Sequence, residues 1–266
     1  MVDDLQILKP FFSIFSFIFG TVFGSFFNVC ISRIPKNESL IPDSHCPNCN
    51  YQIKFYDNIP LLSYLILRGK CRNCGLKISL QYPLVELISG LLFLGLFLKF
   101  GISLLFLKYL IFFSFLLIIF FIDFQNMIIP DVLSLPLIIL GFLFSVIPNL
   151  DINWSQSLFG GVVGFSFFYV IALIFQKVTK KDGMGGGDIK LIASIGTFIG
   201  LVGVLFTVIA SSILFIVFFV LTQQRKENQI PYGPFLAMGS FLHLFWGNQI
   251  WDWYIDFSFN LLDKLG

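Results

Sequence analysis

Long apolar runs separated by short polar stretches dominate the chain. Mainly apolar residues fill about 11–32, 83–99, 102–122, 132–148, 157–176, 189–203, 204–222 and 234–251. Each run approaches the roughly 20 residues a helix needs to cross the hydrocarbon core. A lone helix satisfies its own backbone there, where no water can. The pattern predicts an all-α polytopic membrane protein with about eight transmembrane helices. The fourth run is short and begins after Pro130; the sixth and seventh abut, with Gly200 and Gly203 as the break. Only the stretch 34–82 is polar and long enough to fold by itself. The expected division is a first transmembrane helix (1–33), a small cytoplasmic domain (34–82), a transmembrane core (83–251) and a C-terminal tail (252–266).

Composition agrees with a lipid solvent. Of 266 residues 57% are hydrophobic and 12% charged, against roughly 25% charged in soluble domains. The first run is flanked by Asp3 and Asp4 as well as Lys9. It lacks the basic flank and small-residue cleavage site of a secretory signal, so it is expected to be a retained span. The net charge of +2 leaves no basic footprint for nucleic acid.

The placement of charge orients the chain. Of the 17 Lys and Arg, 13 fall in or beside three loops. Arg33, Lys36, Lys54, Arg68, Lys70, Arg72 and Lys77 follow the first span. Lys177, Lys180, Lys181 and Lys190 follow the fifth, and Arg225 and Lys226 the seventh. Basic loops stay in the cytoplasm. Both termini are then expected outside, a side that suits Asp252, Asp256 and Asp263 in the tail.

The 34–82 segment holds Cys46-Pro47-Asn48-Cys49 and Cys71-Arg72-Asn73-Cys74-Gly75. Two C-x-x-C turns at this separation read as a four-thiolate zinc site. Four protein ligands close the tetrahedron, so the metal is structural rather than catalytic. Two disulfides are the competing reading, and a reducing cytoplasm argues against them. So short a segment buries little core, and metal binding would supply its folding energy. Cys30, in the first span, reads as a small packing residue.

Charges at membrane depth are expensive, which singles out Glu86, Asp123, Asp131 and Asp188. Asp123 ends the third span; Asp188 follows Gly183-Met184-Gly185-Gly186-Gly187 and opens the sixth. The orientation puts both at the cytoplasmic boundary. Two carboxylates brought together share one proton, leaving one as base toward water and the other as acid. The same residues also read as a glycine loop followed by an N-capping aspartate. Gly185, Gly186 and Gly187 would allow close approach of a substrate backbone. Asp131, after Pro130, reads as a helix start and, less simply, as a member of the pair in place of Asp123. Glu86 either pairs with a basic group of the cytoplasmic loop or helps place substrate. Gly20 and Gly24, Gly160 and Gly164, and Gly196 and Gly200 fit close helix contacts.

Several segments in order resemble the type IV prepilin leader peptidase family. Gly185-Gly186-Gly187-Asp188-Ile189-Lys190-Leu191 resembles its GxGDxKL motif. Asp123, with Ile129-Pro130-Asp131, resembles its first catalytic segment. Gly24-Ser25-Phe26-Phe27-Asn28-Val29 with Arg33-Ile34-Pro35 is similar to its N-terminal signature. Tyr82-Pro83-Leu84-Val85-Glu86-Leu87 and Pro231-Tyr232-Gly233-Pro234 are similar to the starts of its second and last spans. Phe27, where Leu is common, and the aspartate-bearing tail depart from it.

The resemblance implies an aspartyl endopeptidase of the bacterial inner membrane with Asp123 and Asp188 as catalytic pair. It implies cleavage of type IV prepilins or pseudopilins after a glycine at the cytoplasmic face. In members with the cysteine loop it further implies N-methylation of the new N-terminus by S-adenosylmethionine, for which the sequence holds no recognisable motif. Lys190, Asp131, Glu86 and the three glycines are the expected supporting residues. A transporter using the acids as an ion relay is the rival from another class; it would favour inverted repeats, and the halves show no convincing one. A related membrane protease with another substrate is the rival among enzymes.

Overall fold

The computed structural model describes residues 2–41, 45–46, 48–180, 185–222 and 230–265. Pro47, Lys181, Gly183, Met184, Arg225 and Lys226 lie outside the described residues. The described helices are α1 (Val2–Arg33), α2 (Leu62–Ile66), α3 (Gln81–Phe100), α4 (Leu104–Asn126), α5 (Asp131–Val146), α6 (Trp154–Thr179), α7 (Gly186–Thr222) and α8 (Gly233–Leu265). Among the described residues the extended pairings are two isolated bridges, His45 with Gln52 and Lys70 with Lys77.

Each apolar run of the sequence forms a helix, with one difference. The sixth and seventh runs form the single element α7, broken at Gly200, where φ is 69° and ψ −177°. That combination is open almost only to glycine. Gly203 stays within the helix, so the break is one residue wide. Among the described residues five helices are long and apolar enough to cross a membrane: α1 from Leu8, α3, α4, α6 and α7. The fourth run forms the shorter α5, of 16 residues.

The outward faces are as apolar as the interior. Phe11, Ile14, Phe15 and Ile18 of α1 are all more than half exposed. Soluble monomers rarely expose so continuous an apolar patch, whereas hydrocarbon makes it the favoured surface. The protein is an all-α polytopic membrane protein.

The chain divides into two compact units, Met1–Ile118 and Ile119–Gly266, with the division falling within α4. In the first unit α1 packs on α3 through small residues. A Cβ on Gly20 would sit 2.7 Å from the Ser89 carbonyl, and one on Gly24 2.6 Å from the Glu86 Cα. The Ser16 hydroxyl donates to the Phe93 carbonyl at 3.0 Å across the same seam. In the second unit α7 packs against α5, α6 and α8. Gly160 and Gly196 face each other with no room for a Cβ on either, and the Ser157 hydroxyl donates to the Thr197 carbonyl at 2.8 Å. Lipid gives helices little hydrophobic reason to associate, so such close backbone contact and interhelical hydrogen bonds carry the packing.

Candidate active site and metal centre

Helix ends, not helix middles, build the acidic cluster of the second unit. Asp123 stands in the last turn of α4 and is 5% exposed. That helix ends because Met127 takes a left-handed conformation (φ 56°) and returns its N–H to the Asp123 carbonyl at 2.8 Å. The Asp123 Oδ2 accepts the backbone N–H of Gly233, first residue of α8, at 3.1 Å. A Cβ on Gly233 would lie 2.6 Å from that oxygen, so only glycine lets the amide approach. The preceding Tyr232 is fixed in turn, its hydroxyl 2.7 Å from that of Ser211 and 3.3 Å from that of Ser212.

Asp188 lies in the first turn of α7, its N–H donating to the Gly185 carbonyl at 3.1 Å. It is the third residue of the helix rather than its cap. The positive end of the helix dipole favours an acid there. A Cβ on Gly187 would fall 2.8 Å from Ile129 Cβ, and one on Gly233 3.1 Å from Ile129 Cδ1. Ile129 thus sits between Gly187, beside Asp188, and Gly233, whose amide holds Asp123. The Asp123 and Asp188 carboxylates lie close enough for their charges to interact.

The three glycines differ in surroundings. Gly187 is pressed on Ile129; among the described residues, a Cβ on Gly185 would meet the Asp188 Oδ2 at 3.3 Å and one on Gly186 would meet nothing within 4 Å. Asp131 begins α5 and is exposed. Its two oxygens accept from the Lys190 Nζ at 2.6 and 2.8 Å. This pair ties the start of α5 to α7. Gly233, Tyr232 and Ile129 were given no role by sequence reasoning, although all three lie in the motif segments.

Glu86 belongs to the first unit. It is 8% exposed, and its Oε2 accepts the N–H of Leu61 at 2.8 Å. Its partner is a backbone amide at a residue with φ +61°.

The four cysteines of that unit come together from two turns of one design. The Cys46 N–H donates to the Tyr51 carbonyl at 2.9 Å and the Cys71 N–H to the Leu76 carbonyl at 2.8 Å. The Asn50 N–H returns to the Cys46 carbonyl, and the Gly75 N–H to that of Cys71. Asn50 (φ 53°) and Gly75 (φ 68°), each just after a second cysteine, have positive φ, and Asn and Gly are the residues that take it most readily. All four sulfurs lie within 4.8 Å of one another. Cys46 is 3.8 Å from Cys74 and Cys49 is 4.0 Å from Cys71. Zn–S bonds of about 2.3 Å in a tetrahedron require sulfurs roughly 3.8 Å apart, so the cluster has the dimensions to hold a metal ion. The Cys74 thiol is lowered to about 6, chiefly by the Leu76 backbone amide and then by the Asn48 side chain.

One unit presents two acids at helix ends, and the other a thiol cluster with the dimensions to hold a metal ion, in a polytopic membrane protein. The bacterial peptidase A24 N-terminal domain matches residues 18–100, and the type IV leader peptidase family matches residues 110–220. The chain belongs to the type IV leader peptidase family. A prepilin leader peptidase/N-methyltransferase of Neisseria gonorrhoeae is 33% identical over 96% of this chain and 98% of its own. Proteins of the same description from Stutzerimonas stutzeri and Pseudomonas aeruginosa are 36% and 34% identical, each over 93% of this chain and over 95% and 94% of their own. No solved structure matches the chain.

Proposed function

We propose that this protein is an aspartyl endopeptidase of the bacterial cytoplasmic membrane that removes the leader of prepilins or pseudopilins after a glycine, and N-methylates the new N-terminus. The observation that carries the proteolytic half is the meeting of Asp123 and Asp188 around Ile129.

The chemistry follows from one shared proton. The ionised carboxylate takes a proton from water as its oxygen bonds to the scissile carbonyl carbon. The protonated partner donates to the carbonyl oxygen. Collapse of this adduct breaks the C–N bond, and the departing nitrogen takes up a proton from the pair. The Gly233 amide fixes the orientation of the Asp123 carboxylate. The lack of a described neighbour at Gly186 supports access of an extended substrate backbone to Asp188.

The basic loops support a site at the cytoplasmic boundary, both termini outside, and residues 34–82 in the cytoplasm. A pilin leader is short and basic and precedes an apolar helix, so its cut point falls at that depth. Glycine there resists helix formation. The four-cysteine cluster holds one structural zinc ion, which its sulfur spacing and the reducing compartment support. S-adenosylmethionine, when bound, would supply the methyl group for the new N-terminal amine.

The test is co-expression with a prepilin. Asp123→Asn and Asp188→Asn should each lower cleavage by at least about 10²-fold, the usual scale of acid–base catalysis, with the protein still in the membrane. Asp131→Asn should lose far less. Cleavage near the wild-type rate by either of the first two would overturn the assignment.

A further inference from the structure

The apolar surface of the first unit does not stop where its long helices end. It continues onto the cysteine segment, across the turn Phe55–Asp57 and across α2. Phe55, Leu65 and Ile66 are 86%, 70% and 72% exposed, and Leu62 is more than half exposed. Leu62, Leu65 and Ile66 stand at i, i+3 and i+4, so they share one face of α2. The other side is packed: the buried Ser63 hydroxyl donates to the Tyr56 carbonyl at 3.0 Å. Surfaces in water rarely present so continuous an apolar face.

Two contacts fix the depth of this face. The segment leaves α1 at Arg33 and enters α3 at Gln81, and both helices are long and apolar enough to cross a membrane. The Ser25 hydroxyl lies 3.5 Å from the Asn58 Oδ1. Ser25 stands just over two turns inside the end of α1, roughly 12 Å at the helical rise. The Glu86 Oε2 accepts the Leu61 N–H at 2.8 Å. Glu86 stands more than one turn inside the start of α3, roughly 7 Å. Residues 58–61 therefore lie alongside the two helices, not beyond their ends.

The chain reverses at this clamp. Leu61 has φ 61° and ψ −48°, and the Leu62 N–H returns to the Pro60 carbonyl at 2.6 Å. This is a γ-turn of the rare, strained kind, and the Glu86 carboxylate holds it. Because α2 begins directly after the turn, Glu86 sets where the apolar face lies. Phe55 borders one shallow hollow with Phe26 of α1, itself about half exposed, which joins the face to the outward surface of α1.

Charge rims the face. Lys54 precedes it and Arg68 and Lys70 follow it, all three exposed. The Lys54 Nζ lies 5.7 Å from the centre of the Tyr56 ring. Asp57, the one acid between Lys54 and Lys70, pairs with Arg72 at 2.6 Å. Tyr, Lys and Arg around an apolar patch suit the boundary between headgroups and hydrocarbon.

We infer that residues 55–66, within the otherwise cytoplasmic segment, form a re-entrant stretch in the bilayer interface, with its apolar face on lipid chains and its flanking cations at anionic headgroups. The cysteine cluster then has a third attachment to the membrane besides the ends of α1 and α3, and Glu86 is the positioning residue for it.

The experiment uses the full chain in lipid nanodiscs containing phosphatidylglycerol. Phosphatidylcholine with a diazirine in its acyl chain is photolysed there, and the labelled peptides are mapped by mass spectrometry. Label should fall on residues 55–66 as well as on the outward faces of α1 and α3. A water-soluble diazirine should spare Leu62, Leu65 and Ile66 and mark the exposed Arg72 and Asn73. Leu65→Asp with Ile66→Asp should cut lipid label on 55–66 about tenfold or more, since hydrocarbon expels charge, with label on α1 and α3 unchanged. Nanodiscs without the anionic lipid should give weaker label on 55–66 alone; equal label would overturn the part assigned to the cations. Lipid label on α1 and α3 with none on 55–66 of the wild type would overturn the whole inference. Protection of residues 62–66 from both probes would do so too, because protein rather than lipid would then cover the face.

Discussion

At Gly233 one hydrogen atom in place of a methyl decides where the Asp123 Oδ2 rests. Alanine there would put its Cβ 2.6 Å from the Asp123 Oδ2 and force the carboxylate aside. Misplacement on that scale costs about 10²-fold in rate, so Gly233→Ala should lose kcat with little change in KM, measured on a prepilin peptide in detergent. A fall in KM-controlled binding alone would mean that the amide serves substrate and not Asp123. The thiols make a second point at this scale. Metal uptake displaces protons from cysteine, and Cys74, at about 6 instead of the ordinary 9, is mostly thiolate at pH 7. Zinc entering the metal-free protein should therefore release fewer than four protons at pH 7. The count should rise as pH falls below 6, where Cys74 regains its proton and uptake weakens. Calorimetry in buffers of different ionisation enthalpy reads the count. Purified protein should hold about one zinc per chain, and Cys46→Ser with Cys49→Ser should release it. Sequence exposed these residues readily, because acids and paired thiols are conspicuous in so apolar a chain. Gly233 and Ile129 were hidden in this sense: their contacts come from what lies beside them in space. The Asp123–Gly233 bond joins residues 110 positions apart, and no local pattern encodes it.

The helices themselves were legible, since apolar runs in lipid have few alternatives. The junction in α7 was less so: Gly200 and Gly203 looked equivalent as letters, and only backbone dihedrals separate them. Gly200→Ala should cost of order 1–3 kcal/mol through strain at φ 69°, with Gly203 free of that backbone term; denaturant unfolding in mixed micelles compares the strain. The contact of α7 with the segment before α5 gives a sharper test. Gly187→Ala would bring a Cβ to 2.8 Å from Ile129 Cβ and should impair cleavage. Ile129→Gly in the same chain should restore part of the loss. Simple additivity of the two losses in a double-mutant cycle would show that this contact is not the cause.

For the whole molecule, the division of labour is the main consequence. The acids lie within residues 119–266 and the thiols within residues 1–118. Removing zinc with a chelator should therefore abolish methylation before it abolishes cleavage, provided the helices stay assembled. Parallel loss of both at every chelator concentration would indicate that the metal supports the entire fold.

The bond between the Gly233 amide and Asp123 also has a consequence in time. A ribosome makes α4 long before α8, so the nascent chain carries its first acid without the amide that seats it. Asp188 arrives in between, still facing a carboxylate free to turn. On the proposed mechanism the acid pair is seated only once α8, the last described helix, is in place, so a half-made copy would be a sheathed blade beside other translocating membrane proteins.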